Sequence, residues 1–534
     1  MQLLIIFIEK NRFNSLKLGV NMLLVDYVAD NAVKYKDKEA IVYIDSWETR
    51  RVLSWHELDM ASNQISNMLL QKGIKKGDKV AIILPNCLEW LPIYFGVLKI
   101  GAIIVPINYN NSQEEICYCL EFVECVAVFS SSKITESLLM FKRLNKKICF
   151  YNIGTDTSNF WYMINGYSSI VSKIQINELD DAAIYFSSGT TGKPKAVLLS
   201  HEALRFSAIT EFEHHHQRHD DRFLCLSPLY HTGSKIHWFG SMIVGGSIVI
   251  KNAFSPNNIV ETIEKEQISI VWLVVPQMQD LLDAIEIKEI DLERLKSLRL
   301  VHSGAQPIPR KLIKRWRATF PNVLYDISYG LTESTGPGCI DLGINTLGKD
   351  GAIGKASSGW EVKIVDDNGN EVGQREVGEI TIKGPSLMTE YYKDHIATQN
   401  TLVGGWLYTG DMGYKDEDDF VYLVDRKKDI IISGGENIYP VQIEDFLRSF
   451  YYVKDAAVFG IPNPRLGECV AAVVELKPGM NIKRSDIYKA CQGLPAYQRP
   501  LRIYLSHVIR NKTGKIDKKA LRNRYLQGEL GKQS

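Results

Sequence analysis

Between Ser187 and Lys193 the chain reads Ser-Ser-Gly-Thr-Thr-Gly-Lys: hydroxyls, bare backbone and a cation, set between two apolar runs. Hydroxyl donors, backbone N–H groups made accessible by the glycines, and an ammonium are what a polyphosphate needs around it. The spacing Gly-x-x-Gly-Lys-Pro is not the GxxxxGK[ST] of a Walker loop, which opens a helix. The residues that follow, AVLLS (196–200), are strand-like. The loop is therefore expected to hold phosphates in a turn between two strands, away from any helix N-terminus. An ordinary Gly/Ser hairpin turn would explain neither its length nor its lysines.

Strand-like runs alternate with amphipathic stretches around this loop. The runs are VAIIL (80–84), GAIIVPI (101–107), AVFS (127–130), AAIYF (182–186), GSIVI (246–250) and SIVWLVV (269–275), with helical patterns such as Ser54–Gln71 and Pro256–Gln267 between them. That alternation predicts a large α/β N-terminal domain of stacked, largely buried sheets. After about Gly354 the texture becomes short alternating strands around an Asp-Asp-Asn-Gly turn (EVKIVDDNGNEV, then GEITIKG), which reads as a hairpin or small β-barrel. Five charged residues, Asp425–Asp429 (DRKKD), then separate the apolar runs VYLV and IIIS. Such a run is expected at the surface, as a hinge before a smaller, mobile α+β C-terminal domain. The expected division is an N-terminal appendage at 1–21, a large domain at 22–427 and a small one at 428–534.

The stretch SSGTTGKPKAVLLSH closely resembles the signature of the adenylate-forming (ANL) superfamily: acyl-CoA synthetases, aryl-CoA ligases, firefly-type luciferases and stand-alone adenylation domains. LYHTG (229–233), HSGAQPIP (302–309), YGLTE (329–333), YTGD (408–411), VDRKKDIIISGGENIYP (424–440) and NKTGKID (511–517) follow in the family's order, from about Val25 to Arg522. The resemblance implies that a carboxylate attacks the α-phosphate of ATP to give acyl-AMP and pyrophosphate, after which a thiol displaces AMP. Both reactants are anions, so such an enzyme must orient them and neutralise charge.

By that resemblance Ser187, Ser188, Gly189, Thr190, Thr191, Gly192 and Lys193 hold the β- and γ-phosphates. Glu333, with Thr332 beside it, places Mg²⁺ and the α-phosphate, since a lone carboxylate suits a hard cation that keeps most of its waters. Tyr329, next to Gly330, offers a face to adenine, and Asp411 accepts the ribose hydroxyls with Arg426 in support. His231 gates the acyl pocket, which Ser303, Gly304 and Ala305 line. Lys515 on the small domain is the residue expected to carry adenylation, reaching α-phosphate and carboxylate together. The rest of its basic cluster (Arg510, Lys512, Lys518, Lys519, Arg522) reads as a solvated face. The small domain of such enzymes rotates between half-reactions, which makes Lys428 the hinge and places Ser433, Gly434, Gly435 and Glu436 in the coenzyme A tunnel.

The acid itself is less legible. PLYHTGSKIHW (228–238) lacks the Asp with which amino-acid-activating relatives pair a substrate ammonium. No carrier-protein motif follows, and GELGKQS is no peroxisomal tripeptide. A small-molecule carboxylic acid, of whatever chain length, with coenzyme A as acceptor is the first expectation. A stand-alone adenylation enzyme loading an acyl carrier protein is the second, and a catalytically silent binding protein the third. The cluster His214–His216 with His219 sits among charged neighbours and reads as the exposed end of a helix without a metal, because adjacent helical side chains diverge.

Bulk numbers agree with a globular intracellular enzyme. A net charge of +1 gives no field for nucleic acid, and 45% apolar with 23% charged residues is ordinary for a soluble domain. The nine cysteines are unpatterned, which suits reduced thiols in a cytoplasm. The apolar run Leu3–Ile8 is stopped by Glu9, Lys10 and Arg12, too short for a membrane span.

Overall fold

The structure is a computed structural model that describes residues 22–154, 158–170, 174–187, 194–252, 255–304, 308–344, 346, 348–511 and 515–530. Positions 1–21, Ser188–Lys193, Ala305 and Lys512 lie outside the described residues.

Two large sheets form the body. The seven-stranded sheet runs Glu390–Tyr391, Lys195–Ser200, Asp181–Ser187, Ile103–Pro106, Lys79–Ile83, Cys125–Ser131, Cys149–Ile153. From Asp181–Ser187 onward its strands are parallel. The nine-stranded sheet runs Lys355–Ala356, Gly336–Asp341, Leu324–Leu331, Leu300–Gly304, Ile270–Trp272, Arg222–Cys225, Ser247–Lys251, Glu39–Ile44, Arg50–Ser54. Its central strands are parallel too. Parallel strands buried on both faces need crossover helices and read as continuous apolar runs, which is why the alternation was visible in the sequence. The helix Trp55–Gln71 begins where Ser54 accepts from the Glu57 N–H and Glu57 returns a bond to the Ser54 N–H. Trp90, Tyr94 and Trp238 pack edge and face between the layers, all fully buried.

A five-stranded half-barrel follows, formed by Glu361–Val365, Gly378–Lys383, Trp406–Lys415, Leu402–Val403 and Val421–Arg426. Its first turn is the expected one: Asp366 Oδ1 accepts from the N–H groups of Asn368 and Asn370. The last sheet is built from residues beyond the charged run: Glu436–Ile438, Ile431–Ser433, Gly467–Leu476, Val453–Asn463 and Arg502–Leu505. A large α/β body with a half-barrel and a smaller α+β unit is thus the observed architecture. Among the described residues no helix is long and apolar enough to cross a membrane.

Local expectations failed where tertiary contacts took over. SIVWLVV is a strand only at Ile270–Trp272, because Pro276 suits a first helical turn and the helix Val275–Glu286 starts there. The charged run is not wholly at the surface. Asp425 is 3% exposed and accepts from the Arg426 and Val441 N–H groups. Arg510 is ion-paired with Asp455, Lys518 Nζ lies 3.1 Å from Glu444 Oε1, and Arg522 pairs with Glu468 at 2.9 Å. Arg510 and Lys518 are part-buried and partnered rather than a solvated face, whereas Arg522, though paired, stays exposed as expected.

The histidine run also turns inward. The helix His201–His214 ends there, but His215 is fully buried as its C-cap, and Gln217 and Asp221 are buried beside it. The divergence argument fails because His214 and His215 both reach one carboxylate oxygen, Asp326 Oδ2, at 2.8 and 2.9 Å. A buried acceptor overrides the polarity of the local sequence.

Gly354 joins the body to the half-barrel by pairing with Val421 at a φ of +120°. A Cβ there would fall 1.9 Å from the carbonyl of Asp341. Gly354→Ala is expected to cost well over about 1 kcal/mol of stability, read as a lowered Tm with the surviving folded protein unchanged in circular dichroism. An unaltered Tm would show that this crossover relaxes freely.

Candidate active site

The phosphate loop's two flanks, Asp181–Ser187 and Lys195–Ser200, pair antiparallel from Asp181↔Ser200 to Ser187↔Lys195. The loop is therefore a hairpin connection between strands, as its spacing predicts. Ser187, the last described residue before it, lies 3.3 Å by its Oγ from Glu333 Oε1, which accepts the bond. The same oxygen accepts from the Tyr391 hydroxyl at 2.8 Å. Tyr391 arrives from far along the chain on a two-residue strand that pairs with Lys195–Ser200, and the Lys195 ammonium stands 4.3 Å over its ring. Burial, and then the Glu333 carboxylate, push the Tyr391 phenol well up, so it stays a donor. One oriented carboxylate among hydroxyls, with no second acid attached, fits Mg²⁺ that draws its other ligands from water and phosphate.

Tyr329 and Gly330 close the strand Leu324–Leu331, and Thr332 and Glu333 begin the single turn that follows it. Tyr329, Glu333 and Ser187 therefore sit at the carboxyl ends of strands, the usual place for a ligand on an α/β sheet. Thr332 Oγ1 lies 3.3 Å from Thr232 Oγ1, which ties this turn to LYHTG. The Tyr329 hydroxyl donates to Asp411 Oδ2 at 2.7 Å, and Arg426 Nε lies 3.3 Å from Asp411 Oδ1. Asp411 and Arg426 face each other across neighbouring half-barrel strands, so register fixes the pair.

Lys515 comes to this group from the small domain. Its backbone N–H donates to Asn511 Oδ1 at 3.0 Å, and its carbonyl accepts from the Asn511 N–H at 2.8 Å, closing the loop that presents it. Its ammonium is held down to about 8, first by burial and then by Arg426 and Lys428, while Asp411 and Glu333 oppose the shift. The residues named from sequence at opposite ends of the chain thus lie in one electrostatic neighbourhood. Burial, then Lys515 and Lys235, hold the His231 imidazole down to about 4, so it is neutral at pH 7. Its Nδ1 accepts from the Gly233 N–H at 3.0 Å.

The acyl wall is less uniform than its motif. Gly304 is buried so tightly that a Cβ would meet the Ser328 carbonyl at 2.9 Å. Ser303 is buried with its hydroxyl donated to the Leu273 carbonyl at 2.7 Å, so that hydroxyl is already committed. Lys428 is exposed in the turn Lys427–Asp429. Ser433 to Glu436 form a hairpin tip whose glycines take φ of +63° and +91°, with Gly434, Gly435 and Glu436 exposed. In this conformation Lys515 lies in the field of Asp411, Glu333 and Arg426, and the Gly-Gly-Glu tip faces solvent.

Sequence reasoning missed Tyr391 and Lys235, and it quoted Lys195 and Thr232 within their motifs without giving either a role of its own. Lys235 is 1% exposed, with its ammonium 4.1 Å over Tyr185 and 5.2 Å over Phe239, and burial pulls its pKa far down. Only Lys235 left a signal, as a cation within the apolar helix Lys235–Val244; Tyr391 gave none, since strand pairing alone brings it in.

Comparison with known proteins accords with this geometry. The model of the AMP-binding enzyme family matches residues 28–392, and that of the AMP-binding enzyme C-terminal domain matches residues 442–515. A putative acyl-CoA ligase of Bacillus subtilis, YdaB, is 31% identical over 472 residues, covering 87% of this chain and 92% of its own. The long-chain-fatty-acid–CoA ligase FadD13 of Mycobacterium tuberculosis is 30% identical over 89% of this chain and 93% of its own. Among solved structures, ATP-bound MatB from Rhodopseudomonas palustris superimposes with a TM-score of 0.88 at 26% identity, over 95% of this chain and 100% of its own. With one chamber assembled from both units and those likenesses spanning nearly the whole length, the chain belongs to the AMP-binding enzyme family of adenylate-forming ligases, as an acid–CoA ligase of the AMP-forming type.

Proposed function

We propose that this protein activates a carboxylic acid with ATP, releases pyrophosphate, and passes the acyl group from acyl-AMP to coenzyme A. The observation that carries the reading is Lys515, brought from the small domain into the reach of Glu333, Asp411 and Arg426. Asp411, oriented by Tyr329 and Arg426, accepts the ribose hydroxyls. Lys515 balances charge as the carboxylate oxygen bonds to the α-phosphorus and the bond to pyrophosphate breaks. Glu333, set by Ser187 and Tyr391, would hold Mg²⁺, which supplies further charge neutralisation when bound. His231 and Gly304 border the acid, and Ser188–Lys193 hold the departing phosphates.

For the second half-reaction the small domain, taken as 428–534, turns about Lys428. That motion withdraws Lys515 and brings the exposed Ser433–Glu436 tip to the acyl-AMP, where the thiolate of coenzyme A attacks the acyl carbon and AMP leaves. An exposed turn between two anchored strands suits large backbone changes. Coenzyme A is favoured over a carrier protein because the curated relatives named above are coenzyme A ligases.

ATP–pyrophosphate exchange over a panel of carboxylic acids, followed by thioester formation with coenzyme A or carrier protein, tests the reading. Exchange with no acid would leave a silent binding protein, and transfer only to carrier protein would replace coenzyme A as acceptor. Lys515→Ala should lower adenylation by about 10²–10³-fold while thioester formation from supplied acyl-AMP is largely spared; equal loss of both refutes its role. Lys428→Pro should keep acyl-AMP synthesis and slow thioester formation at least about tenfold, or ~1.4 kcal/mol; unchanged turnover counts against the hinge.

The lowered Lys515 pKa sets a direction with pH. The ammonium is the working form, so kcat/KM for ATP should fall as pH rises through about 8, because this parameter reports the free enzyme. Bound ATP favours the charged form, so the limb in kcat should lie higher. A kcat/KM profile flat through that region would remove Lys515 from the rate.

A further inference from the structure

Behind the strand that carries Ser303 and Gly304 lies a group of buried ionisable side chains that the ligase reaction does not use. The helix His201–His214 supplies Glu211 and, at its C-cap, His215; the helix Lys235–Val244 supplies His237; the strand Leu300–Gly304 supplies His302. Glu211 is 1% exposed and the three histidines 0%. Each offers one ligand atom, and the four atoms lie within 4.8 Å of one another.

Glu211 Oε1, His237 Nδ1 and His302 Nε2 are buried with no hydrogen-bond partner, while Glu211 Oε2 and His215 Nδ1 are paired with each other. Unsatisfied polar atoms at this depth are costly. The opposite ring nitrogens are engaged. His215 Nε2 lies 2.9 Å from Asp326 Oδ2, and His237 Nε2 lies 2.9 Å from His302 Nδ1. A ring that donates from one nitrogen to a carboxylate or neighbour presents the lone pair of the other, which is how ligating histidines are usually held. The His237–His302 contact holds one proton, so one of these imidazoles presents a lone pair and the other orients it.

Glu211 Oε2 and His215 Nδ1 form an ion pair 3.2 Å across. That separation is close to the ~3.3 Å edge of a tetrahedron whose metal–ligand bonds are about 2.0–2.1 Å. Glu211 is also given its space: a Cβ at Gly338 would fall 2.6 Å from Glu211 Oε1. Two carboxylates, Glu211 and the supporting Asp326, would balance a dication. Imidazole and carboxylate donors together suit a zinc-class ion better than Mg²⁺ or Ca²⁺, which favour all-oxygen shells.

We propose that Glu211, His215 and one imidazole of the His237–His302 pair form a buried site for a divalent transition metal of the zinc class, which ties two helices to the strand bearing the acyl wall. Asp326 and the second imidazole orient the ligands, and a fourth position stays open.

Metal analysis of the full-length protein tests this independently of any acid or thiol, so failure of the ligase reading would leave the result intact. Protein from zinc-supplemented culture, dialysed without chelator, should retain about one zinc per chain. Stripped protein given Co²⁺ should show the visible bands of a four-coordinate ion, undiminished by excess Mg²⁺. Glu211→Gln should abolish those bands, and Asp326→Asn should weaken Co²⁺ affinity about 10–100-fold. Absence of stoichiometric zinc and of the Co²⁺ spectrum in the wild-type protein overturns the proposal, and needs no variant to fold. Binding that survives Glu211→Gln overturns it equally, by placing the metal elsewhere.

Discussion

An ammonium kept beside a guanidinium is the constraint around which this molecule is arranged. Lys515 and Arg426 repel each other, and burial worsens that, yet both lie in one neighbourhood with Asp411 and Glu333. Asp411 and Glu333 make the arrangement tolerable without cancelling it, because each is already engaged elsewhere. Asp411 accepts from Tyr329 and pairs with Arg426, and Glu333 accepts from Ser187 and Tyr391. The carboxylates are oriented, and positive potential is left uncancelled. Preorganised charge of this kind spares the reorganisation that water would need.

The same demand explains where the remaining charge was buried. Asp425, just before the turn that carries Lys428, is raised to about 6 by burial, with Lys518 and the Val441 N–H working against that shift. Lys518 reaches Glu444 as well, so the helix Pro440–Arg448, the turn and the C-terminal helix share one ionic junction. Arg448 and Arg510 both pair with Asp455 nearby. Breaking one partner of such a group strands the others in low dielectric, so these contacts specify geometry more than they add stability. They leave Lys427–Asp429 as the exposed place where the backbone can turn.

Much of the fold was legible because parallel strands covered by helices must be apolar on both faces. VAIIL, AAIYF and AVLLS announced themselves, and Asp366–Asn370 announced its turn through side-chain-to-backbone bonds. The phosphate hairpin was legible for the same reason, since AVLLS cannot continue a Walker helix. What stayed hidden was set by partners distant in sequence. His215 looked polar and terminal until Asp326 was found opposite it, and Lys518 looked solvated until Glu444 was. Tyr391 carried no local mark at all.

By itself, then, and apart from the acids that only the family resemblance implied for Mg²⁺ and ribose, the sequence determined which chemistry was on offer: hydroxyls and lysines suited to phosphate, and a charged break before a second unit. These are local properties of composition and spacing, and they survive without coordinates. The tertiary structure alone decided which charges met. Strand register set Asp411 against Arg426, packing of the small unit delivered Lys515, and burial drew His215 inward to Asp326 while His216 and His219 stayed exposed. Electrostatic interaction depends on distance and on the exclusion of water, and neither is written along a chain.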